Sequence, residues 1–335
     1  MQVKNILPRP VQHLNEATKK YPGAWKSLQY IRKGKGIDLP DWPDWCLTPM
    51  AAHAAIVSTQ YNRLSLNFSC EISMLAALDA WRYTQGIYKF TDTLYESIRN
   101  TKISRNIPAD VLFRLPQWCV YIETPSDKNQ FGFFAHLEHD IATGRAEIRF
   151  LLDQENGLVP LILHLGDWSV EESIERTWSE SNKQRALCFS ETDEINDLYN
   201  DDLIVRNAKK LMCQVAHQCI SLLLYLCSDE PDIEQIEKFP PNNPTLRNTK
   251  KGLRFFPPKK STIWNVGKDL AKSLNVDTDF KGGKNKNMTP HIRSAHWHGF
   301  WSGKRNSNSR KFNFKWLPPL IINANSLAGE FQDAA

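Results

Sequence analysis

The sequence predicts an α+β fold: a helical N-terminal part, a central antiparallel sheet with long helices packed on it, and a basic C-terminal module built around a hairpin. Three observations predict it. Apolar residues recur at helical spacing through the first hundred residues. They switch to alternation between residues 116 and 152. After residue 240 the charge balance inverts.

In the N-terminal part, Ile72, Leu75, Ala76 and Leu78 fall on one helical face of CEISMLAALDAWRYTQGIY, with Gly86 as the expected stop. IDLPDWPDWCLTP holds too many prolines for regular structure and is expected to be a loop whose indoles pack on the body. In the central part, the alternating faces are Trp118, Val120 and Ile122; then Phe131, Phe133, Ala135 and Leu137; then, after a turn at IATGR, Ala146, Ile148, Phe150 and Leu152. One buried face leaves His136, Glu138, Asp140, Glu147 and Arg149 on the other. His136 and His139 point to opposite sides of a strand, so HLEHD is read as an exposed polar strand edge and not as a metal site. GLVPLILHLG adds a strand apolar on both faces.

Ser169 and Glu172 form a capping box for a helix with the stripe Val170, Ile174 and Trp178. A longer helix over about 203–227 has the inner face Ile204, Leu211, Val215, Cys219, Leu222 and Leu226, and ends near SDEPDI. Its apolar part carries Gln214, His217 and Gln218 and is short for a membrane span, so a buried helix is expected.

The apolar content of 41% and charged content of 24% over 335 residues are those of a globular chain with a real core. Seven scattered cysteines without a C-x-x-C pair point to reduced thiols. The N-terminus has no apolar run of the secretory kind. Between residues 240 and 320 there are 17 lysines and arginines against three acids, whereas residues 1–239 hold 25 against 32. We therefore read an acidic body, 1–239, and a basic module, 240–335. They are joined by the Pro-, Asn- and Lys-rich KFPPNNPTLRNTKKGLRFFPPKK, and a basic loop, DFKGGKNKN, follows.

The most unusual stretch is HIRSAHWHGFWSGKR, residues 291–305. As a strand it puts His296, His298 and Phe300 on one face and Trp297, Gly299 and Trp301 on the other. FNFKWLPP returns with Phe312, Phe314 and Trp316 on one face, which predicts an aromatic hairpin tipped by Lys304, Arg305, Arg310 and Lys311. Three chemistries compete for it. Metal binding suits poorly, because the module has almost no carboxylate and no cysteine; neither metal nor cofactor is expected. General acid–base cleavage of RNA would use His291, His296 and His298, helped by Arg293 or Lys304. Polyanion binding would use Arg293, Lys304, Arg305, Arg310, Lys311 and Lys315, with Trp297, Phe300, Trp301 and Trp316 as stacking platform or as core. A grip is favoured over a reagent, so the chain is read as leaning away from an enzyme.

Five blocks, WRYTQGIYKF, LPQWCVYIE, LYLCSDEPDI, PHIRSAHWHGFWSGK and FKWLPPLIIN, occur in that order over residues 81–323. In this set the chain resembles the second class of type V-A anti-CRISPR proteins. The resemblance implies a protein of a phage, plasmid or other mobile element that evades host defence in the bacterial cytoplasm. It implies recognition of the type V-A effector nuclease's own polypeptide during translation, followed by loss of its messenger RNA. On the charge split, the acidic body would hold a basic peptide and the basic module would meet messenger or ribosomal RNA; no membrane is involved. The rival readings are a ribonuclease using the C-terminal histidines and a plasmid or phage nucleic-acid-binding protein.

Overall fold

Two layers of helix enclose one sheet, and both faces of that sheet find cover. The computed structural model describes residues 7–59, 66–104, 107–127, 130–188, 202–234, 240–250, 252–270, 291–305, 307 and 310–322. The N-terminal part folds as α1 (Arg9–Lys20), α2 (Ala24–Lys33), α3 (Met50–Val57) and α4 (Leu66–Trp81). Gly23 supplies the left-handed turn into α2, with φ of 84°, where a side chain would be strained. Residues 40–49 are the expected irregular loop; Trp42 is buried and Trp45 packs against the core.

β1 (Gly86–Phe90) and α5 (Asp92–Arg99) follow, then a 3-10 turn (Ala109–Arg114). The alternating region becomes β2 (Cys119–Asp127), β3 (Gln130–His139), β4 (Ala146–Gln154) and β5 (Gly157–Leu165), an antiparallel meander. α6 (Val170–Cys188) starts at the predicted capping box. There the Ser169 N–H donates to Glu172 at 3.0 Å, and the Glu172 N–H to Ser169 Oγ at 3.2 Å. α7 (Asp202–Cys227) is the long helix. A small ribbon, β6 (Arg247–Thr249) with β7 (Gly252–Arg254), interrupts the connector before β8 (Thr262–Val266).

The six-stranded sheet runs β5-β4-β3-β2-β1-β8. It is mixed, not wholly antiparallel, because β1 pairs parallel with both β2 and β8. GIYKF is short, without alternation, and its β8 partner is far away in sequence, so neither pairing leaves a local signal. The β1–β2 link passes through α5 and the 3-10 turn, the long crossover a parallel pair requires.

Strand parity divides the core in two. Val120, Ile122, Phe133, Ala135, Leu137, Ile148 and Phe150 share one apolar core with Leu94 and Ile98 of α5 and Ile220 and Leu223 of α7. Cys119, Tyr121, Phe134 and Leu151 face the other way, against Ala77, Leu78 and Trp81 of α4. Leu211, assigned to the inner face of α7, is 63% exposed; burial of that helix is complete only from Cys219 to Cys227. Ile204 and DFKGGKNKN lie outside the described side chains and residues. The segment Lys210–Cys227 is long and apolar enough to cross a membrane, but 56% of it is inside the protein core.

The boundary at residue 240 marks a change of charge, while packing crosses it. β8 lies in the central sheet, and Trp264, Val266, Trp297, Phe312, Phe314 and Trp316 join the same apolar core as α7.

Cover on both faces overturns the reading of HLEHD as an exposed edge. β3 is an interior strand, and His136, Glu138, Glu147 and Arg149 are all buried on the α4 side. Arg149 bonds Glu147 at 2.6 Å. Glu138 accepts the Met50 N–H at 2.7 Å, so a strand carboxyl supplies the acceptor that Pro49 cannot give to the start of α3. Burial pushes the Glu138 carboxyl up to about 8, and burial together with the Arg149 charge pushes His136 down to about 3.

A folded carboxyl near 8 keeps its proton between about pH 4.5 and 8, where the unfolded chain releases it. Its contribution to stability therefore declines as pH rises through that window. Glu138→Gln keeps an acceptor for Met50 and never ionises. The variant is expected to gain on the order of 2 kcal/mol relative to wild type between pH 5 and pH 8. Urea unfolding at both pH values checks this, and parallel pH slopes would count against it.

Candidate functional site

The 291–305 stretch divides between two ladders. β9 (His291–Arg293) pairs with β12 (Leu320–Ile322), whereas β10 (His296–Ser302) pairs with β11 (Lys311–Leu317). The predicted hairpin is present, with Trp297 opposite Trp316, Gly299 opposite Phe314 and Trp301 opposite Phe312. Gly299 is needed there: a Cβ would stand 2.4 Å from the Phe312 ring.

One face of this ribbon is glued to the body. Trp297, Phe312, Phe314 and Trp316 are buried. Trp316 Nε1 donates to Thr101 Oγ1 at 3.0 Å, and its ring meets Tyr225 of α7 edge-on at 6.1 Å. Asp229, just past α7, fixes the register. Its N–H donates to the Phe314 carbonyl at 2.9 Å, and its carboxylate accepts the Phe314 N–H at 2.8 Å. Arg114 of the 3-10 turn bonds the Phe312 carbonyl and lies over the Phe314 ring. A ribbon of two strands is marginal alone; this docking makes it a rigid support.

The structure sorts the aromatic candidates. Trp297 and Trp316 are core. Phe300 and Trp301 are 51% and 48% exposed, so their rings are accessible from solvent. The Arg310 guanidinium sits 4.6 Å from the Trp301 ring centre. Trp301 also forms one wall of a cleft of about 290 Å³ shared with Pro108, Asp110, Asp167 and Trp168.

It sorts the cations too. Lys304, Arg305 and Arg310 are exposed around the turn and have no carboxylate partner among the described residues. Lys315 is held by Glu230 at 2.5 Å, and Lys311 stands 3.7 Å from Asp229, so these two are partly neutralised from within. Neither acid carries a local signal for this role: SDEPDI reads only as the end of a helix, and the fold brings Asp229 and Glu230 to the ribbon. Arg293 is on β9, and its side chain lies outside those described.

The histidines do not converge on one strand. His296 and His298 share a face of β10, while His291 belongs to the other ladder and its side chain lies outside those described. The His296 ring Nδ1 is 3.1 Å from the Ser294 carbonyl, and the exposed His298 ring leans on Phe300 at 5.8 Å. Among the described residues no three side chains of metal-ligating type come together. What the geometry does offer is one exposed aromatic on each face of the ribbon, Phe300 and Trp301, with the exposed cations Lys304, Arg305 and Arg310 at the adjoining turn, groups suited to unpaired bases and phosphates.

Comparisons with known proteins fall in line with this architecture. The chain is 23% identical over 266 residues to Protein FinQ of Escherichia coli, covering 72% of this chain and 74% of that protein. Its fold matches the crystal structure of AcrVA2 with a TM-score of 0.66 at 21% identity, covering 95% of this chain and all of the other. A profile of the AcrVA2-like family, described as the anti-CRISPR type V subtype A2 family, matches residues 88–324, which include all of the sheet but the first two residues of β1, and the aromatic ribbon. The chain therefore belongs to the AcrVA2-like anti-CRISPR family.

Proposed function

We propose that the protein acts in the bacterial cytoplasm by recognising the polypeptide of the type V-A effector nuclease as it is made, and that loss of the effector's messenger follows. Family membership supports an anti-CRISPR role. The observation that carries the RNA-facing half of the reading is the ribbon tip: Phe300 and Trp301 exposed on a docked support, beside Lys304, Arg305 and Arg310 without internal counter-ions among the described residues. Exposed rings stack on bases, and each free cation neutralises a phosphate.

The test uses full-length protein in a translating bacterial extract. The effector's messenger is expected to be lost when read in frame and spared when a frameshift abolishes the polypeptide but keeps the RNA. Reversing Lys304, Arg305 and Arg310 to Glu is expected to spare the in-frame messenger. It should also lower the log–log salt slope of single-stranded RNA retention by roughly 2–3. Cleavage of naked messenger, abolished by His296→Ala with His298→Ala, would replace this reading with a ribonuclease. Equal loss of in-frame and frameshifted messenger would leave only a nucleic-acid-binding protein.

A further inference from the structure

A second concave surface lies among the N-terminal helices. A cleft of about 550 Å³ opens between α2, the loop that follows it, Trp118 and the β6–β7 ribbon. Trp42 and Leu47 line one part, Trp118 and Phe255 another, and Leu246 and Leu253 a third. Trp118 and Phe255 pack edge to face at 4.9 Å. Trp118 is pinned further, its N–H to Asn243 Oδ1 at 2.6 Å and its Nε1 to the Asp44 carbonyl at 3.1 Å. That part is preformed. Leu246 and Leu253, by contrast, are 49% and 58% exposed, an apolar wall with nothing against it.

The charges around the cleft are one-sided. Arg32, Lys33, Lys35 and Arg254 line it against one carboxylate, Asp44. Arg32 is matched by Asp79 at 2.6 Å and Lys35 by Asp44 at 2.5 Å. Lys33 and Arg254 have no carboxylate among the described residues, and the Nε of Arg254 is shut off from solvent without an acceptor there. A guanidinium donor held out of water without a partner is costly, and an incoming carboxylate relieves that cost with a charge-assisted bond.

We propose that this cleft seats a polypeptide segment in which a large apolar side chain stands beside one or two carboxylates. The apolar group enters between Leu253 and the Trp118–Phe255 pair, and the carboxylates meet Lys33 and Arg254. The sign is opposite to the basic peptide expected from the net charge of residues 1–239, because local lining and not the domain sum sets the potential in a cleft. A nucleotide fits less well: Trp118 and Phe255 spend their contact on each other, and the open wall is leucine, which offers no face for a base.

This proposal rests on the polypeptide-recognition reading above, deepening it by the chemistry of the segment read. The test is a set of overlapping synthetic peptides covering the type V-A effector nuclease, measured against the full-length protein. Captured peptides are expected to be net acidic and to carry leucine or aromatic residues. Leu253→Asp, and separately Lys33→Glu with Arg254→Glu, should weaken capture about tenfold or more. Thermal melting should stay at the wild-type value, since Leu253 and Lys33 are exposed. The Lys304→Glu, Arg305→Glu variant should capture the same peptides as wild type. If peptides are captured but are basic, or are held equally by the cleft variants, the cleft is overturned and polypeptide recognition stands. If no peptide is captured, polypeptide recognition itself fails and the cleft proposal with it.

Discussion

Asp79→Ala is expected to destabilise the protein by about 3–5 kcal/mol, the range for removing one partner of a buried charge cluster. Asp79, on α4, is fully buried. It receives Arg32 Nη1 at 2.6 Å, Arg82 Nε at 3.2 Å and Thr48 Oγ1 at 3.0 Å, and His53 Nε2 stands 3.4 Å away. Burial alone would raise its carboxyl; the Arg32 charge, His53 and Arg82 reverse that and hold it well below the usual carboxylate range. The cluster ties α2, the loop before α3 and α4 into one unit. Alanine would leave two guanidinium groups, each about nine-tenths out of water, without their shared anion. Because the depressed carboxyl stays ionised down to strongly acid pH, its contribution should persist from neutrality to below pH 4 and be lost only as pH falls through its folded value. Urea unfolding at pH 7 checks the magnitude. A loss under 1 kcal/mol would mean the cluster is solvated and the helices are held by apolar contacts alone.

Phe314→Ala is expected to cost a further class of stability, about 3–5 kcal/mol, and to take function with it. The Phe314 ring has no solvent exposure, stacks near Phe312 at 6.1 Å and lies under Arg114. Its backbone is clamped on both sides by Asp229. Truncation opens a cavity at the seam between ribbon and body, so the ribbon should become susceptible to protease near its exposed turn before the body unfolds. Trp301→Ala provides the contrast. Trp301 is about half exposed and outside the core, so its loss should change stability by less than about 1 kcal/mol while weakening RNA retention. Equal destabilisation by both substitutions would place Trp301 in the core and remove the stacking surface.

Much of this was legible because the signals are local. The period-two run marked β2 to β4 with the turn between β3 and β4, the apolar run GLVPLILHLG marked β5, and Ser169 with Glu172 marked the start of α6. The aromatic ribbon followed from alternation on either side of a polar turn. The ordered sequence blocks pointed to the family that the profile match then showed over residues 88–324. What stayed hidden depends on partners distant in the chain. Alternation could not say that α3 and α4 would cover the second face of the sheet; by alternation alone His136 and Glu138 face solvent, yet both are buried. Nor could it say that Asp229 and Glu230 would meet Lys311 and Lys315, while Lys304, Arg305 and Arg310 were left unmatched.

The sequence by itself determined the strands of the meander, the capped start of α6, the long helix α7, the aromatic hairpin and the uneven distribution of charge, since each is set by neighbours within a few residues. Only the tertiary structure decided which aromatics are exposed, which cations are free and where a cleft forms. Those properties arise where β8, α7 and the ribbon close on one core, and where β6 and β7 approach α2, contacts between segments that no local spacing connects.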